Sequence, residues 1–472
     1  MAPAATPLPR ATLAVILCIQ IGEALNGCVL FPFIVFMMRD AGISERNLGW
    51  WSGLVGASFF LGQVVSSYHW GRLADRYGCK PCIVFSCVAA GLSSVAFGFA
   101  KTAPQAVFVR FVCGVLNGTI GIVKSYVTQI TDETNRPAAF ALMPLGFGLG
   151  LVAASELGGS LSRPADTWPG VFGAKFWRLF PYALPLLVCG AYQLLTALAS
   201  HLFLAAVDAR SGYAAVDKEV DGEDDKLAPE PAPVVPVWRR RGPVLSCMAY
   251  ATMAGAQILY DELFPLYARG CLGWRSPKIG TFLACGGSAV FFGAFVAPRC
   301  LRACGGRQRF AFSIANSLNL PLGLALPALA SWYSLFFLFF ATRIVQTVAF
   351  TAVMLMVNSS TPVSEVGAVN GLGQSMAASM RAAGPLLGGT IWSGALALAR
   401  GADHPDATCP RVYTWLPYGA RAFLVFAALC ACACLPRAAP PPPEPDDEEC
   451  KEADDPDADA VFELSEKNVE MV

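Results

Sequence analysis

The chain has 472 residues, of which 55% are hydrophobic and 14% are charged. Soluble domains carry roughly 25% charged residues, so a chain this apolar cannot cover its surface with polar groups and must face lipid. Its 34 basic and 34 acidic residues cancel, which argues against nucleic acid as a partner. The 17 cysteines and three histidines follow no repeated metal-ligand spacing, so we expect no metal site and no cofactor.

Long apolar stretches follow one another along the chain, and each approaches the roughly 20 residues that a spanning helix needs. The first stretch is too long for a signal-peptide core and is assigned as a membrane helix. The predicted spans of the first half are 12–37, 48–69, 81–100, 105–129, 138–160 and 180–206. Those of the second half are 243–268, 279–298, 309–330, 332–357, 367–397 and 415–435. We therefore predict an all-α membrane protein of about twelve transmembrane helices.

Two segments, residues 208–242 and 436–472, differ from the rest of the chain in composition. The first contains an acidic run, a proline-rich run and three arginines, and the second is rich in proline and acidic residues. Such sequences bury too little apolar surface to fold, so both are predicted to be disordered. The predicted domains are an N-terminal half (1–207), a linker (208–242), a C-terminal half (243–435) and a tail (436–472).

Basic residues collect at one set of span ends, whereas the opposite loops hold scattered charges such as Arg39, Lys101 and Arg275. The positive-inside rule places the basic ends, and both termini, in the cytoplasm. The basic residues at these ends are Arg10, Arg72, Arg76, Lys80, Arg239, Arg240, Arg241, Arg299, Arg302, Arg307 and Arg309.

Three landmarks recur in the second half at nearly one offset. A Leu-Phe-Pro triplet ends at Pro32 and again at Pro265, a glycine follows the second and eighth spans, and a Gly-Gly pair lies in the fifth and eleventh. Together they predict two pseudo-symmetric six-helix halves, with a binding site between them near the bilayer midplane.

The most specific motif reads GRLADRYGCKP over residues 71–81, where the second span turns into the third. Glycines permit a tight turn there, and an acid beside bases can cap the adjoining helix ends. The segment resembles the loop motif of the major facilitator superfamily, G-x-L-A-D-R-x-G-R-K, with Cys79 where a base is usual. The resemblance implies the major facilitator fold and a loop that stabilises one gate conformation. By this resemblance the gating residues are Gly71, Asp75, Arg76, Gly78 and Lys80.

The fourth span contains Arg110, Asn117 and Lys124. Its RFVCG segment resembles the family's R-x-x-x-G motif, which is linked to proton coupling, and an arginine inside a span faces a cavity or a partner. On a continuous helix Lys124 lies about 21 Å further along and nearly on the same face as Arg110. An equal alternative is that Lys124 snorkels at the cytoplasmic end.

Glycines in the fifth and eleventh spans are spaced for close helix packing. Family antiporters carry G-P-x-x-G-G in the fifth span, but this chain has Ala154–Ser155 in place of Gly-Pro, which weakens an antiport inference. The residues assigned to helix packing are Gly158, Gly159, Gly384, Pro385, Gly388 and Gly389.

Four acidic residues lie within predicted spans, and an intramembrane ionisable group is by default a functional candidate. Asp261 and Glu262 are neighbours, so they point about 100° apart and only one should face a cavity. For each acid, pairing with an embedded base is an alternative to carrying a proton. The candidates for proton coupling or substrate binding are Glu23, Asn26, Arg110, Asn117, Lys124, Glu156, Asp261, Glu262 and Arg381.

Further stretches resemble the zinc-induced-facilitator-like branch and its drug:proton antiporter relatives, namely 30–34, 110–126, 180–185, 260–264 and 367–371. The resemblance implies a proton-coupled secondary transporter of a small organic solute or metal chelate that works as a monomer in the plasma membrane or a vacuole-like membrane. A non-transporting receptor or scaffold on the same fold and an uncoupled facilitator are the alternatives. We expect no enzyme, because the spans contain no nucleophile–base arrangement.

Overall fold

The computed structural model describes residues 10–131, 136–206, 237–329, 331–360, 366–400 and 409–436. These residues form helices joined by short turns, and no strand occurs within the described ranges. Most of the predicted linker and nearly all of the predicted tail lie outside them. The end of the linker is the exception, because Val237–Arg239 forms a 3-10 turn and the next helix begins at Arg241.

The first half is built from helices of very different length. Its long helices pack together, and three short ones, α8 to α10, lie between the fifth and sixth predicted spans. The helices are α1 (Arg10–Cys28), α2 (Ile34–Asp40), α3 (Leu48–Tyr77), α4 (Cys79–Gly98), α5 (Ala103–Leu116), α6 (Thr119–Ile130), α7 (Arg136–Ser160), α8 (Pro164–Thr167), α9 (Pro169–Phe172), α10 (Lys175–Leu179) and α11 (Ala183–Phe203).

The second half contains long helices joined by short connections. They are α12 (Arg241–Gly270), α13 (Ser276–Ala303), α14 (Gln308–Ala325), α15 (Trp332–Asn358), α16 (Val366–Arg400) and α17 (Trp415–Ala433). The predicted spans 309–330 and 332–357 are therefore separate helices, since α14 ends at Ala325 and α15 begins at Trp332.

Ten spans among the described residues are long and apolar enough to cross a membrane, with α5 and α6 counted as one. Two further helices, α7 with 25 residues and α12 with 30, occupy the fifth and seventh predicted positions. At 1.5 Å per residue both can cross about 30 Å of hydrocarbon. The total of twelve stays a prediction, because α12 carries Gln257, Asp261 and Glu262 among mostly small residues and is less apolar.

Two predicted spans are not continuous helices. The first is interrupted at residues 29–33, where Pro32 cannot donate a backbone hydrogen bond. The fourth is interrupted at Asn117–Gly118, where the Ser86 hydroxyl accepts the Gly118 amide proton at 2.8 Å. A Cβ at Gly118 would lie 2.3 Å from the Trp70 ring. The prediction of one straight helix carrying Arg110 and Lys124 is therefore wrong.

The second span also ends later than predicted. Helix α3 continues to Tyr77, and α4 begins at Cys79, so the turn consists of Gly78 alone, with φ 88°. The motif residues therefore lie mainly on the last turns of α3 rather than in a loop. Gly306, the matching glycine of the second half, has φ 70° between α13 and α14.

The two halves repeat the same helix pairings. In the first half α1 packs on α7, α3 on α5, and α4 on α11; in the second, α12 packs on α16, α13 on α15, and α14 on α17. The halves meet along two seams, α3 against α16 and α7 against α13, which an approximate two-fold axis exchanges. The repeat of landmarks in the sequence thus reflects a repeat of packing.

The two Gly-Gly pairs occupy equivalent positions in this arrangement. Added Cβ atoms at Gly158 and Gly388 would lie 2.1 and 2.2 Å from Val29 and Leu259, each within its own half. Added Cβ atoms at Gly159 and Gly389 would instead collide with glycines of the other half. The second glycine of each pair therefore lets the halves touch.

Both seams are tight at one end of the bundle and widen toward the other. A Cβ at Gly53 would lie 2.2 Å from the Pro385 carbonyl oxygen, and one at Gly56, a turn further along, would be 3.5 Å from the Pro385 side chain. In the seam between α7 and α13, a Cβ added at Gly159 would lie 2.7 Å from the nearest atom of the other half, and one added at Gly148 would lie 3.7 Å away. The tight end, called the closed end, carries the connections 41–47, 161–182 and 271–275.

The opposite end, called the open end, carries Gly78 and the turn at 304–307. Glycines of both halves on the helices near this end face empty space, because Cβ atoms added at Gly71, Gly121 or Gly371 would meet nothing within 4 Å. A cleft between the halves therefore opens at the end where the basic residues of the sequence collect.

Candidate functional site

Helix α1 presents Glu23 and Asn26 to the interior of the first half, where both are buried. They are three residues apart and share one face of the helix. The Asn117 side-chain amide donates to the Glu23 carboxylate at 3.1 Å, and Arg110 donates to the Asn26 backbone carbonyl at 2.8 Å. Four predicted site residues therefore form one cluster between α1 and the fourth span.

The guanidinium of Arg110 has no acidic partner in this cluster. It is 3% exposed and lies 4.5 Å from the centre of the Phe59 ring and 5.7 Å from that of Phe97. Its Nε and one Nη have no hydrogen-bond partner among the described residues. A buried cation without a carboxylate is costly, so its retention favours a role in binding.

The neighbours Asp261 and Glu262 point in different directions, as the helical geometry predicts. Asp261 forms a buried ion pair with Arg343 of α15, inside the second half. Glu262 instead faces the seam, and a Cβ added at Gly56 of α3 would lie 3.3 Å from its Oε2. One acid therefore has a structural partner within its own half, and the other lies where the two halves meet.

Glu262 is the least satisfied acid of the interior. It is 1% exposed, and neither of its carboxyl oxygens has a hydrogen-bond partner in the part of the chain that the structure describes. An ionised carboxylate in such a site is very costly unless a cation or a proton neutralises it. No described ion pair supplies that cation.

A third buried arginine, Arg421 of α17, was not among the predicted site residues. It donates to the Asn319 side chain at 2.6 Å, and its guanidinium lies 4.5 Å from the centre of the Tyr260 ring. A Cβ at Gly323 would lie 1.7 Å from Arg421, so this glycine makes room for it. The signal was available, since an arginine within a predicted span is a functional candidate by itself.

The other charged candidates lie apart from these clusters. Glu156 accepts a hydrogen bond from Ser160, one turn away on α7. Half-buried Arg381 donates to the Tyr250 hydroxyl at 3.1 Å, and its charge acts on Lys124, which lies nearer the open end on α6. Together, Arg381 and Lys124 make the inner part of the cleft basic.

The predicted gating residues lie at the open end. Arg76 is exposed, with its guanidinium 5.4 Å from the centre of the Tyr77 ring, and Lys80 is half-buried at the start of α4. The side chain of Asp75 lies outside the described residues. Cys79, which replaces the usual base, is buried and donates its thiol proton to Gln129 of α6. The gating role of this segment stays a prediction.

Polar contacts join the halves at the closed end, and none of them was predicted. Arg269 of α12 forms a two-pronged ion pair with Glu45, with nitrogen–oxygen distances of 2.8 and 2.5 Å. The hydroxyls of Ser162 and Ser276 lie 2.7 Å apart. These contacts close the cleft on the side opposite to its opening.

A disulfide between Cys271 and Cys409 lies at the same end. It ties the end of α12 to the segment before α17, both in the second half. The described residues contain no group of three or more histidine, cysteine or acidic side chains placed to hold a metal ion.

Two packed halves, a cleft open at one end and unpaired charges at its base define a membrane transport protein. The chain matches the model of the Major Facilitator Superfamily over residues 13–385 and belongs to this family. It is therefore a protein of a transporter family and not an enzyme.

Relatives over most of the chain agree with the branch predicted from the motifs. The chain is 28% identical to a probable peptide/nitrate transporter of Arabidopsis thaliana, over 89% of each chain. It is 27% identical to Zinc Induced Facilitator 1 of the same plant, over 82% of this chain and 84% of the relative. The multidrug transporter mfsB of Aspergillus fumigatus is 23% identical, over 82% of this chain and 79% of its own.

Solved structures agree with the fold. A bacterial homologue of the human lysosomal transporter Spinster, in an inward-facing and unoccupied conformation, superposes with a TM-score of 0.68. The match covers 91% of this chain and 96% of that one at 15% identity, so it concerns the fold alone.

Proposed function

We propose that this protein is a secondary active transporter that moves a small organic solute or metal chelate by alternating access, coupled to protons. The observation that carries the proposal is Glu262, a fully buried acid on the seam between the halves whose two oxygens have no partner in the described structure. Since no described cation pairs with it, a proton is the simplest group that neutralises it in this state.

The position of Glu262 links protonation to movement of the halves. The acid belongs to α12 of the second half and lies against Gly56 of the first. Separation of α3 from α16 at the closed end would bring water toward this carboxyl and let it ionise. A proton could then leave on one side of the membrane and be replaced on the other.

The contrast between the two ends supports alternating access. The halves touch through glycines and a few polar contacts at the closed end, and a cleft opens at the other. Such contacts can separate and re-form as two rigid halves rock about a central site. Both halves belong to one chain, and we infer that a monomer is sufficient.

Two observations support cytoplasmic termini. The open end carries the basic residues that the positive-inside rule assigns to the cytoplasm, and the closed end carries the Cys271–Cys409 disulfide. Disulfides persist on the outer or lumenal side of membranes and are rare in the cytosol. We infer that the closed end faces the outside of the cell or the lumen of a vacuole-like compartment.

The test is substrate-dependent proton movement in proteoliposomes that contain the purified chain and a pH-sensitive dye. A pH gradient is imposed, and a panel of small zwitterions, carboxylates, metal chelates and drugs is added. We expect at least one compound to drive proton flux, and Glu262→Gln to lower that flux at least tenfold because it cannot release a proton.

Parallel variants identify the coupling acid. Glu23→Gln and Glu156→Gln compare the other embedded acids, and Asp166→Asn, an exposed acid at the closed end, is the control for purification and orientation. Solute uptake without proton flux would contradict the coupling and indicate an uncoupled facilitator. No uptake of any panel compound by folded protein would favour the receptor or scaffold alternative.

A further inference from the structure

Open space adjoins α1 near the middle of the first span. A Cβ atom added at Gly27 would meet no other atom within 4 Å, although the neighbouring residues Asn26 and Cys28 are buried. Transporters with two parallel halves bind their substrate at this depth, between the halves. The surroundings of Gly27 and Cys28 therefore report the chemistry of the substrate site.

Three arginines from both halves act on this place. Arg110 in α5, Arg343 in α15 and Arg381 in α16 all act electrostatically on the thiol of Cys28, and of these three only Arg343 has a described acidic partner, Asp261. The field next to the open space is therefore positive, and the interior of a bundle screens it much less than water would.

Two of these guanidinium groups have free hydrogen-bond donors. Arg110 uses one nitrogen to hold the Asn26 carbonyl, and Arg343 uses one to hold Asp261. The remaining nitrogens of both have no partner among the described atoms, although both residues are at least nine-tenths buried. Buried donors of this kind normally have hydrogen-bond partners, so these nitrogens are available to an acceptor on a bound solute.

Basic groups also outnumber acidic groups in the described interior, even when every acid is counted as ionised. Glu23 already accepts a hydrogen bond from Asn117 and forms no described ion pair with Arg110. The embedded charges are Arg110, Lys124, Arg343, Arg381 and Arg421 against Glu23, Glu156, Asp261 and Glu262.

We propose that the transported solute is an organic anion whose carboxylate binds between Arg110 and Arg343, with Arg381 and Lys124 drawing it in from the open end. This inference rests on the proposed transport function and specifies its substrate class. The planar edge of a guanidinium matches a carboxylate through two parallel hydrogen bonds. An ammonium group at the same position would instead meet the unpartnered guanidinium nitrogens of Arg110 and Arg343 and would be repelled by their charge.

The test measures equilibrium binding to the full chain in nanodiscs, where no gradient or transport is needed. The probes are isosteric sets that differ only in charge: benzoate, benzamide and benzylamine, and the corresponding naphthalene and butyl compounds. Binding is read from thermal stabilisation and titration calorimetry. We expect the carboxylate of at least one set to bind at least tenfold more tightly than its amide, with no binding of the amine.

Variants of the arginines identify which of them bind the carboxylate. Arg110→Gln should weaken carboxylate binding about tenfold or more. Arg110→Lys should restore only part of the affinity, because an ammonium group lacks the two parallel donors of a guanidinium. Arg343 is removed together with its partner, as Arg343→Gln with Asp261→Asn, so that no buried acid is left unpaired. Arg309→Gln, at a side chain that donates to the Leu435 carbonyl at the open end, is the control.

The outcomes of the binding test and of the transport test can be distinguished. Carboxylate binding that Arg110→Gln abolishes would support the inference even if no compound moved protons. A preference for amines, equal binding of acid and amide, or no carboxylate binding to folded protein would overturn it. Proton-coupled transport of a cation would leave the proposed function intact and refute the anion.

Discussion

The two ends of the bundle differ in how the halves meet. At the closed end, backbone touches backbone through glycines, with an ion pair and paired hydroxyls across the cleft. Near the open end, Gly71, Gly121 and Gly371 face empty space. The same two helix pairs, α3 with α16 and α7 with α13, run through both regions, so the two ends differ in the spacing of the halves.

The proposed alternating-access cycle would have to break the contacts of the closed end. The Glu45 and Arg269 side chains are 29% and 12% exposed, and ion pairs that contact water contribute about 1 kcal/mol or less. The charged residues deeper in the bundle, such as Asp261 and Arg343, pair within one half and can stay together. The closed end is therefore held by contacts that are weak enough to be reversible.

The largest effect is expected from the disulfide at the closed end. Replacing both cysteines, as Cys271→Ser with Cys409→Ser, should lower stability by about 2–4 kcal/mol because the segment between them is no longer tied. Thermal denaturation in nanodiscs checks this, with Cys18→Ser, a free and half-buried cysteine, as control. Reduction by an impermeant reagent only from the cytoplasmic side would contradict the assigned orientation.

A methyl group at the tight seam should have the next largest effect. Gly53→Ala places a carbon 2.2 Å from the Pro385 carbonyl, which forces α3 from α16 at a cost of about 1–3 kcal/mol. We expect greater maleimide labelling of a cysteine introduced at Ser393 from the outer side. Gly371→Ala, where an added carbon meets nothing, should leave labelling unchanged; equal effects of both would refute the contrast between the ends.

The glycine-containing turns at the open end, Gly78 in the first half and 304–307 in the second, allow a test of the internal symmetry. Gly78 and Gly306 have positive φ angles, which cost an alanine about 1–2 kcal/mol. Gly78→Ala and Gly306→Ala should therefore destabilise the protein by similar amounts in thermal denaturation. Gly419→Ala on α17, where an added carbon has space and the backbone geometry is ordinary, is the control and should leave stability unchanged. A large difference between the Gly78→Ala and Gly306→Ala variants would mean that the two turns are not equivalent.

The smallest effect is expected at the ion pair of the closed end. Glu45→Gln or Arg269→Gln should favour the outward-open state by about 1 kcal/mol or less, up to roughly fivefold in population. Maleimide labelling of the cysteine introduced at position 393 again measures this change in population. The exchanged pair, Glu45→Arg with Arg269→Glu, should return labelling toward the wild-type level; failure to do so would mean that the two charges do not act on each other.

The sequence predicted the long helices well because each depends on a local property, a run of apolar residues. It also predicted the two halves, since recurring landmarks such as Gly78 and Gly306 mark equivalent turns. The break at Asn117–Gly118 depends instead on Ser86 and Trp70, which are distant in the chain. No window of sequence around the break contains that information.

The candidate site was predicted in part. The rule that embedded charges are functional candidates named Glu23, Arg110 and Glu262, whose roles stay predictions, and helix geometry predicted that Asp261 and Glu262 point in different directions. The same rule, applied to the twelfth span, would have found Arg421. The pairing of Glu45 with Arg269 could not be predicted, because it joins loops of different halves, and many surface charges are equally available as partners.

The most direct test of coupling through Glu262 compares accumulation with exchange in proteoliposomes, using a radiolabelled panel compound that the wild-type chain accumulates. Glu262→Gln resembles the protonated acid, so it should still exchange labelled for unlabelled solute across the membrane at near the wild-type rate. It should not accumulate solute in response to a pH gradient. Accumulation at the wild-type level in this variant would contradict the role of Glu262 as the proton-coupling acid.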